Sequence, residues 1–320
     1  MTAKKILLTA LMLIISSFSF ALEKKTICTW DPVGKNGPVM TFYSDLKPKA
    51  IAWGLDLEFI AYTDEKVAAN DFKAGICDGA HLSAILSRQF VPFAGTLDAI
   101  GGITSDEGLG KILATLATPG AGKVMTNGQY EAVAAWPVGS MFAFVNDRSI
   151  DTVAEFSGKK ISVLNEDPQT HKLANMAGAS PVGTSLATFS GQFNNGNIDI
   201  LFMPALAYNV FELYHGLGDK GGILDYRLYY GMLQTIIKKD AFPADFGEKM
   251  RNYVADAEKE IPAKYWIKTD EATQKELVKF SREIRLALKE EGKMDPKALK
   301  LLWKIRCTEN PSNSECATPE

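Results

Sequence analysis

Between residues 26 and 90 the chain alternates short apolar runs with helical stretches, and this alternation restricts the fold more than any other feature. Residues 26–30, 55–62 and 76–80 read as strands, and 42–53, 65–72 and 82–90 read as helices. The helix over 65–72 has a start signal in Thr63-Asp64-Glu65 and a stop in Gly75. Strand–helix–strand units of this length cross over right-handedly and leave their strands parallel, which makes the segment the opening of an α/β sheet.

A second such unit begins at Phe156-Ser157-Gly158. The glycine turn feeds an apolar run over 160–164, which stops at Asn165-Glu166-Asp167-Pro168 before helical periodicity from Gln169 to Met176. Asn194-Asn195-Gly196-Asn197 reads as a turn, 198–203 as a strand halted by Pro204, and 205–214 as a helix. Residues 140–145 read as an extended segment leaving the first unit, and 228–237 as one returning to it. Two crossings, near residues 142 and 232, imply two lobes on a hinge. One lobe takes residues 22–142 and 233–265, and the other takes 143–232. A helix over 245–260 carries Phe246, Met250, Tyr253 and Ala257 at helical spacing. Amphipathic helices over 270–291, with Leu277, Phe280, Ile284 and Leu288, and over 296–305 then make 266–306 a helical region. The polar tail, 307–320, is expected to be mobile outside its disulfide.

The first residues bear on the compartment. Lys4 and Lys5 precede an apolar run to Phe20, and Ser19-Phe20-Ala21 offers small residues for cleavage. Serines at 16, 17 and 19 leave the run short of the ~20 apolar residues a span requires. Residues 1–21 therefore read as a secretory signal peptide cleaved after Ala21. Its loss removes two lysines and no acids, so the formal charge moves from −3 to −5. Basic residues are interspersed with acids, with none of the clustering a nucleic-acid partner demands. Cys28, Cys77, Cys307 and Cys316 in an exported chain favour disulfides. Of three connectivities, Cys28–Cys77, on runs expected to neighbour each other, and Cys307–Cys316 are preferred, with unpaired buried thiols the alternative for the first pair.

Familiar catalytic patterns fail on chemistry. Gly216-Leu217-Gly218-Asp219-Lys220-Gly221 follows a helix where a dinucleotide fingerprint follows a strand, and Val124 stands where a P-loop needs a hydroxyl after Gly122-Lys123. There is no Gly-x-Ser-x-Gly elbow, and His81, His171 and His215 lack metal-binding spacing. No enzyme, metal or cofactor is expected; a periplasmic enzyme would need His81 or His171 beside a carboxylate and a nucleophile. The strand ends carry the candidate ligand residues instead: Trp30, Asp31 and Lys35 after the first strand, Tyr62 after the second, His81 and Ser83 at the third, Asn165 and Gln169 after the run at 160–164, and Met203 and Tyr208 after the next. In α/β proteins such positions face a crevice. Backbone N–H groups at the helix start over 165–169 are expected to face a polar or anionic ligand group.

Several segments resemble the DctP-like periplasmic solute-binding proteins of TRAP-type transporters: Phe72-Lys73-Ala74-Gly75-Ile76-Cys77-Asp78-Gly79, Phe156-Ser157-Gly158-Lys159-Lys160-Ile161, and Gly196-Asn197-Ile198-Asp199 with Pro204. Longer stretches are similar to a branch of proteobacterial solute-binding proteins, some described as RND-type efflux components linked to aminoglycoside resistance. They include Phe93-Ala94-Gly95-Thr96-Leu97-Asp98-Ala99-Ile100-Gly101-Gly102 and Ala207-Tyr208-Asn209-Val210-Phe211-Glu212-Leu213-Tyr214. The resemblance implies a two-lobed periplasmic-binding-protein fold with long C-terminal helices. It also implies capture of a small molecule between the lobes and delivery to membrane transporter subunits. The arginine that such proteins use to hold a carboxylate falls at Ser162, which therefore joins the candidate site as a position where the usual clamp is missing. The other reading is a non-catalytic envelope adaptor of an export or efflux complex.

Overall fold

The computed structural model describes residues 22–252 and 266–320; the signal peptide and the part of the 245–260 helix with Tyr253 and Ala257 lie outside the described residues. Two groups of parallel strands occupy opposite ends of one sheet, and two long antiparallel strands join them. At one end β1 (Glu23–Trp30) lies between β2 (Leu55–Tyr62) and β3 (Gly79–Ser83). At the other, β6 (Lys160–Leu164) lies between β7 (Ser180–Thr184) and β8 (Ile200–Pro204). β5 (Tyr130–Val145) and β10 (Tyr229–Lys238) pair antiparallel in the middle; β10 meets β3 and β5 meets β8. Short strands β4 (Thr126–Asn127), β9 (Gly222–Leu224) and β11 (Trp266–Ile267) complete an eleven-stranded sheet among the described residues. The result is a two-lobed α/β fold.

β5 is a single 16-residue strand that begins ten residues before the extended segment expected over 140–145. Pro137 lies within it and lacks the ladder N–H. The register against β10 shifts just there, from Gly231 opposite Gly139 to Met232 opposite Pro137. A bulge takes up the missing donor and lets one strand run through both halves.

Among the described residues, six helices of eight or more residues pack on this sheet. α1 (Pro38–Ala52) and α2 (Glu65–Ala74) connect β1 through β3, and α3 (Asp106–Leu116) follows, with Ser105 accepting from the Gly108 N–H as its cap. α4 (Pro168–Met176) follows β6, and α5 (Glu271–Glu290) and α6 (Pro296–Glu309) close the chain. The helix expected over 205–214 breaks into two single turns, Ala207–Val210 and Tyr214–Leu217. Glu212 between them takes φ 53°, a conformation that cannot continue a helix.

Both preferred disulfides form, with Cα separations of 5.8 Å for Cys28–Cys77 and 5.5 Å for Cys307–Cys316. Cys77 lies in the turn before β3, since the strand starts three residues later than the apolar run suggested. The polar tail is docked. Arg285 of α5 donates from Nε to Glu320 Oε2 at 3.0 Å, from Nη2 to Glu315 Oε2 at 2.6 Å and from Nη1 to the Ile100 carbonyl at 2.8 Å. Arg306 of α6 donates to Glu315 Oε1 at 2.8 Å, to Glu320 Oε1 at 3.1 Å and to the Gly102 carbonyl at 2.7 Å. All four side chains are buried. Gly101 takes φ +64° beneath them, and a Cβ there would come within 2.4 Å of Arg285 Nη1.

Asp31 sets the start of α1. Gly37, the N-cap residue, has no side chain, and Asp31 Oδ2 accepts instead from the Val39 and Met40 N–H groups at 2.9 and 3.1 Å. A Cβ on Gly37 would sit 1.9 Å from Asp31 Oδ1, so the glycine is what lets the carboxylate reach the helix. Asp31→Ala is expected to cost about 0.5–2 kcal/mol, the range for a lost N-cap, read as a lower denaturation midpoint.

Candidate functional site

A cavity of about 570 Å³ opens where the carboxyl ends of the parallel strands of both halves meet. From one half come Trp30 and Pro32 past β1, the turn 63–66 past β2, and Ile85 and Leu86 past β3; from the other come 164–166 past β6 and 185–187 past β7. The volume suits a metabolite-sized molecule. Trp30, Pro32, Ile85, Leu86, Leu164, Leu186 and Ala187 make much of the wall apolar.

Three adjoining helix starts are capped by side chains. Asp64 accepts from the Val67 N–H at 3.1 Å, and Ser83 accepts from the Leu86 N–H at 3.4 Å. At α4, Asp167 accepts from the Gln169 and Thr170 N–H groups at 3.1 and 3.2 Å. Of the N–H groups expected over 165–169 to face an anionic ligand group, that of Gln169 is held by the Asp167 carboxylate and those of Asn165 and Asp167 by the Thr184 and Leu164 carbonyls.

Contacts span the two halves around the cavity. Lys66 Nζ lies 3.0 Å from Glu166 Oε1, with both side chains exposed enough for solvent to screen them. Deeper in, Gln169 accepts the Ile100 N–H at 2.7 Å and donates to the Asp98 carbonyl and Oδ1 at 3.3 and 3.4 Å. Asp98 also receives Arg88 Nη2 at 2.8 Å, yet burial, opposed by this arginine, pushes its carboxyl up to about 6. Glu65 is half-buried in the wall and accepts the Ser83 N–H at 2.5 Å. Burial raises its carboxyl to about 7; bonds from Ser83 oppose that, and the Glu166 and Asp64 carboxylates add to it.

Of the residues singled out from sequence, Trp30 and Asn165 line the cavity. Ser83 and Gln169 adjoin it through the bonds just described. The rest are held elsewhere. Asp31 is spent on capping α1, and Lys35 is exposed on the turn before it. Tyr62 donates to Asp71 Oδ2 at 2.8 Å. His81 is buried, with Nδ1 2.5 Å from the Tyr43 hydroxyl and 3.3 Å from Thr235 Oγ1; burial pushes its pKa down to about 3, so it is neutral. Ser162 is buried in β6 with its Oγ 2.9 Å from Thr184 Oγ1. Met203 and Tyr208 pack in an apolar cluster with Phe142, Phe189 and Phe193.

Sequence reasoning passed over Glu65, Lys66, Ile85, Leu86 and the 185–187 turn. The first four lie two to four residues beyond strand ends, on or just before helix starts, so a rule reaching past the helix cap would have found them. β7, Ser-Pro-Val-Gly-Thr, has no apolar alternation, and nothing in its residues marked it as a strand.

A wide cavity at the facing strand ends of two α/β lobes, crossed by contacts between them, is the architecture of a two-lobed solute-binding protein. Residues 40–320 match the family model for the solute-binding protein AdeT 1/2. The chain is 41% identical over 299 residues to the probable solute-binding protein AdeT1 of Acinetobacter baumannii, covering 90% of this chain and 98% of that protein. AdeT2 of the same organism is 28% identical over 69% of this chain and 98% of its own length. Among solved structures, a TRAP periplasmic solute-binding protein of Ralstonia eutropha with bound (S)-2-acetolactate superposes with a TM-score of 0.68 at 14% identity, covering 88% of this chain and 98% of that one. The periplasmic ectoine-binding protein of the TeaABC TRAP transporter of Halomonas elongata superposes with a TM-score of 0.67 at 11% identity, covering 89% and 98%. The chain belongs to the AdeT1/2 family of solute-binding proteins, on a TRAP-type binding-protein fold.

Proposed function

We propose that the protein is exported, loses residues 1–21 after Ala21, and works in the periplasm by closing two lobes on a small molecule that it passes to membrane transporter subunits. Residues 22–142 with 233–265 form one lobe and 143–232 the other, while 266–306 form C-terminal helices, of which α5 packs on α4 of the second lobe and α6 on α3 of the first. The observation that carries this reading is the cavity itself, set at strand ends of both halves and bridged by Gln169 and by Lys66–Glu166. A ligand touching both sides favours the closed arrangement by its differential contacts alone. The metabolites held by proteins of this fold, acetolactate, ectoine and D-glucuronate among them, are of the size the cavity accepts.

Thermal unfolding against a metabolite panel tests the proposal. A true ligand at a hundred times its dissociation constant adds about 2.7 kcal/mol of stability, and a panel that moves nothing counts against capture. Gln169→Ala is expected to weaken binding of any such ligand about tenfold, because the closed state then leaves the Ile100 N–H without a partner. Calorimetric titration reads that loss, and an unchanged affinity would exclude Gln169 from closure.

A further inference from the structure

The charges around the cavity bear on the chemistry of its ligand. Four ionisable side chains line it, the carboxylates of Asp64, Glu65 and Glu166 and the ammonium of Lys66. Lys66 pairs with Glu166, and Asp64 caps α2. Glu65 remains, half-buried, with a backbone N–H as its closest donor and no arginine, lysine or histidine paired with it among the described residues. An ionised carboxylate in partly dehydrated surroundings is costly until a cation joins it. Among the described residues no arginine lines the cavity, its one lysine is paired with Glu166, and Asp64, Ser83 and Asp167 cap three adjoining helix starts. Trp30 supplies an aromatic surface of the kind that attracts ammonium groups, and Ile85, Leu86, Leu164 and Leu186 supply apolar surface for a hydrocarbon body.

We infer that the cavity takes an organic ammonium compound with an apolar body, its cationic nitrogen held by Glu65. This rests on the capture reading above and narrows it to one ligand class. The groups facing Glu65 are Ser83 of β3, Asp64 and Lys66 of its own turn, and Glu166 across the cavity. Protonation of Glu65 removes the anchor, so ammonium binding is stronger at pH 8.5 than at pH 6.

The test is calorimetric titration of the mature protein with butylamine, putrescine and tetrabutylammonium, beside butyrate, succinate and butanol as anionic and neutral probes of comparable size, at pH 6 and 8.5. The cationic probes are expected to bind, at least fivefold more tightly at the higher pH. Glu65→Gln, whose amide oxygen still accepts the Ser83 N–H, is expected to weaken them at least tenfold and to flatten the pH response. Asn165→Asp adds a carboxylate to the wall and is expected to tighten them several-fold, which keeps the idea falsifiable even where the Glu65 variant folds poorly. Binding of butyrate, succinate or butanol in preference to the cations, or ammonium binding indifferent to both substitutions, overturns the cationic assignment and leaves capture standing. Silence from all six probes, together with silence from the metabolite panel, overturns both.

Discussion

Arg285→Ala is expected to lower stability by about 3–5 kcal/mol, because it leaves buried charges without their partner. Glu315 would then face Arg306, Glu320 would keep Arg306 and the more distant Arg282 at 3.9 Å, and the Ile100 carbonyl would lose its donor. Chemical denaturation reads the loss as a lower midpoint at an unchanged slope. Lys275→Ala, which breaks an exposed ion pair with Glu271 on the same helix, gives the contrast and is expected to change nothing measurable. Equal effects from the two would mean that the buried cluster carries no special weight. The cluster also fixes a pH dependence. Burial would raise the Glu320 carboxyl, but Arg285 and Arg306 overcome that and hold it below the usual carboxylate range. A depressed folded pKa stabilises above the unfolded value and is lost as pH falls through the folded one, so this contribution is present at neutrality and disappears in acid.

Removing the Cys28–Cys77 bond by a double alanine substitution is the second large effect. Chain entropy alone assigns about 4 kcal/mol to a link across 49 residues, against about 2.6 kcal/mol for the link across nine between Cys307 and Cys316. Both cysteines of the first pair are buried, so some lost packing adds to the entropic cost. Loss of the second bond is expected to matter less, since Glu315 and Glu320 still tie the tail to α5 and α6. Comparing denaturation midpoints of the two double variants decides the order. A larger loss from the shorter loop would show that the tail disulfide does more than its ring size implies.

The loop over 93–102 shows how stability and site are joined. Its Ile100 carbonyl accepts from Arg285, and its Ile100 N–H donates to Gln169. One residue therefore connects the docked tail to the contact between the halves. That segment stood out in the sequence as a family likeness, and no periodicity within it announced this role. Its purpose is backbone geometry: Gly101 allows a positive φ and the close approach of the Arg285 guanidinium.

The sequence by itself determined the α/β class, the two strand-rich units and the crossings between them. It also determined the order of β1, α1, β2, α2, the helix-start signal at Asp64, the polar stop before α4, and the membership of the family. These follow from local periodicity, capping chemistry and extended resemblance, all of which act between residues close in the chain or fixed in order along it. Tertiary structure alone decided which polar side chains meet a cavity. Asp31, His81 and Ser162 sit near strand ends as a site residue would, yet their partners, Met40, Thr235 and Thr184, come from other elements, the Thr235 contact spanning 154 residues. Glu65 and Glu166 are 101 positions apart, and only the folding of two parallel-strand groups onto one sheet brings them to a common wall. Burial also acts on the charge of Glu65: a carboxylate has the same ordinary pKa anywhere in a sequence, and its loss of water on folding is what lifts Glu65 to about 7.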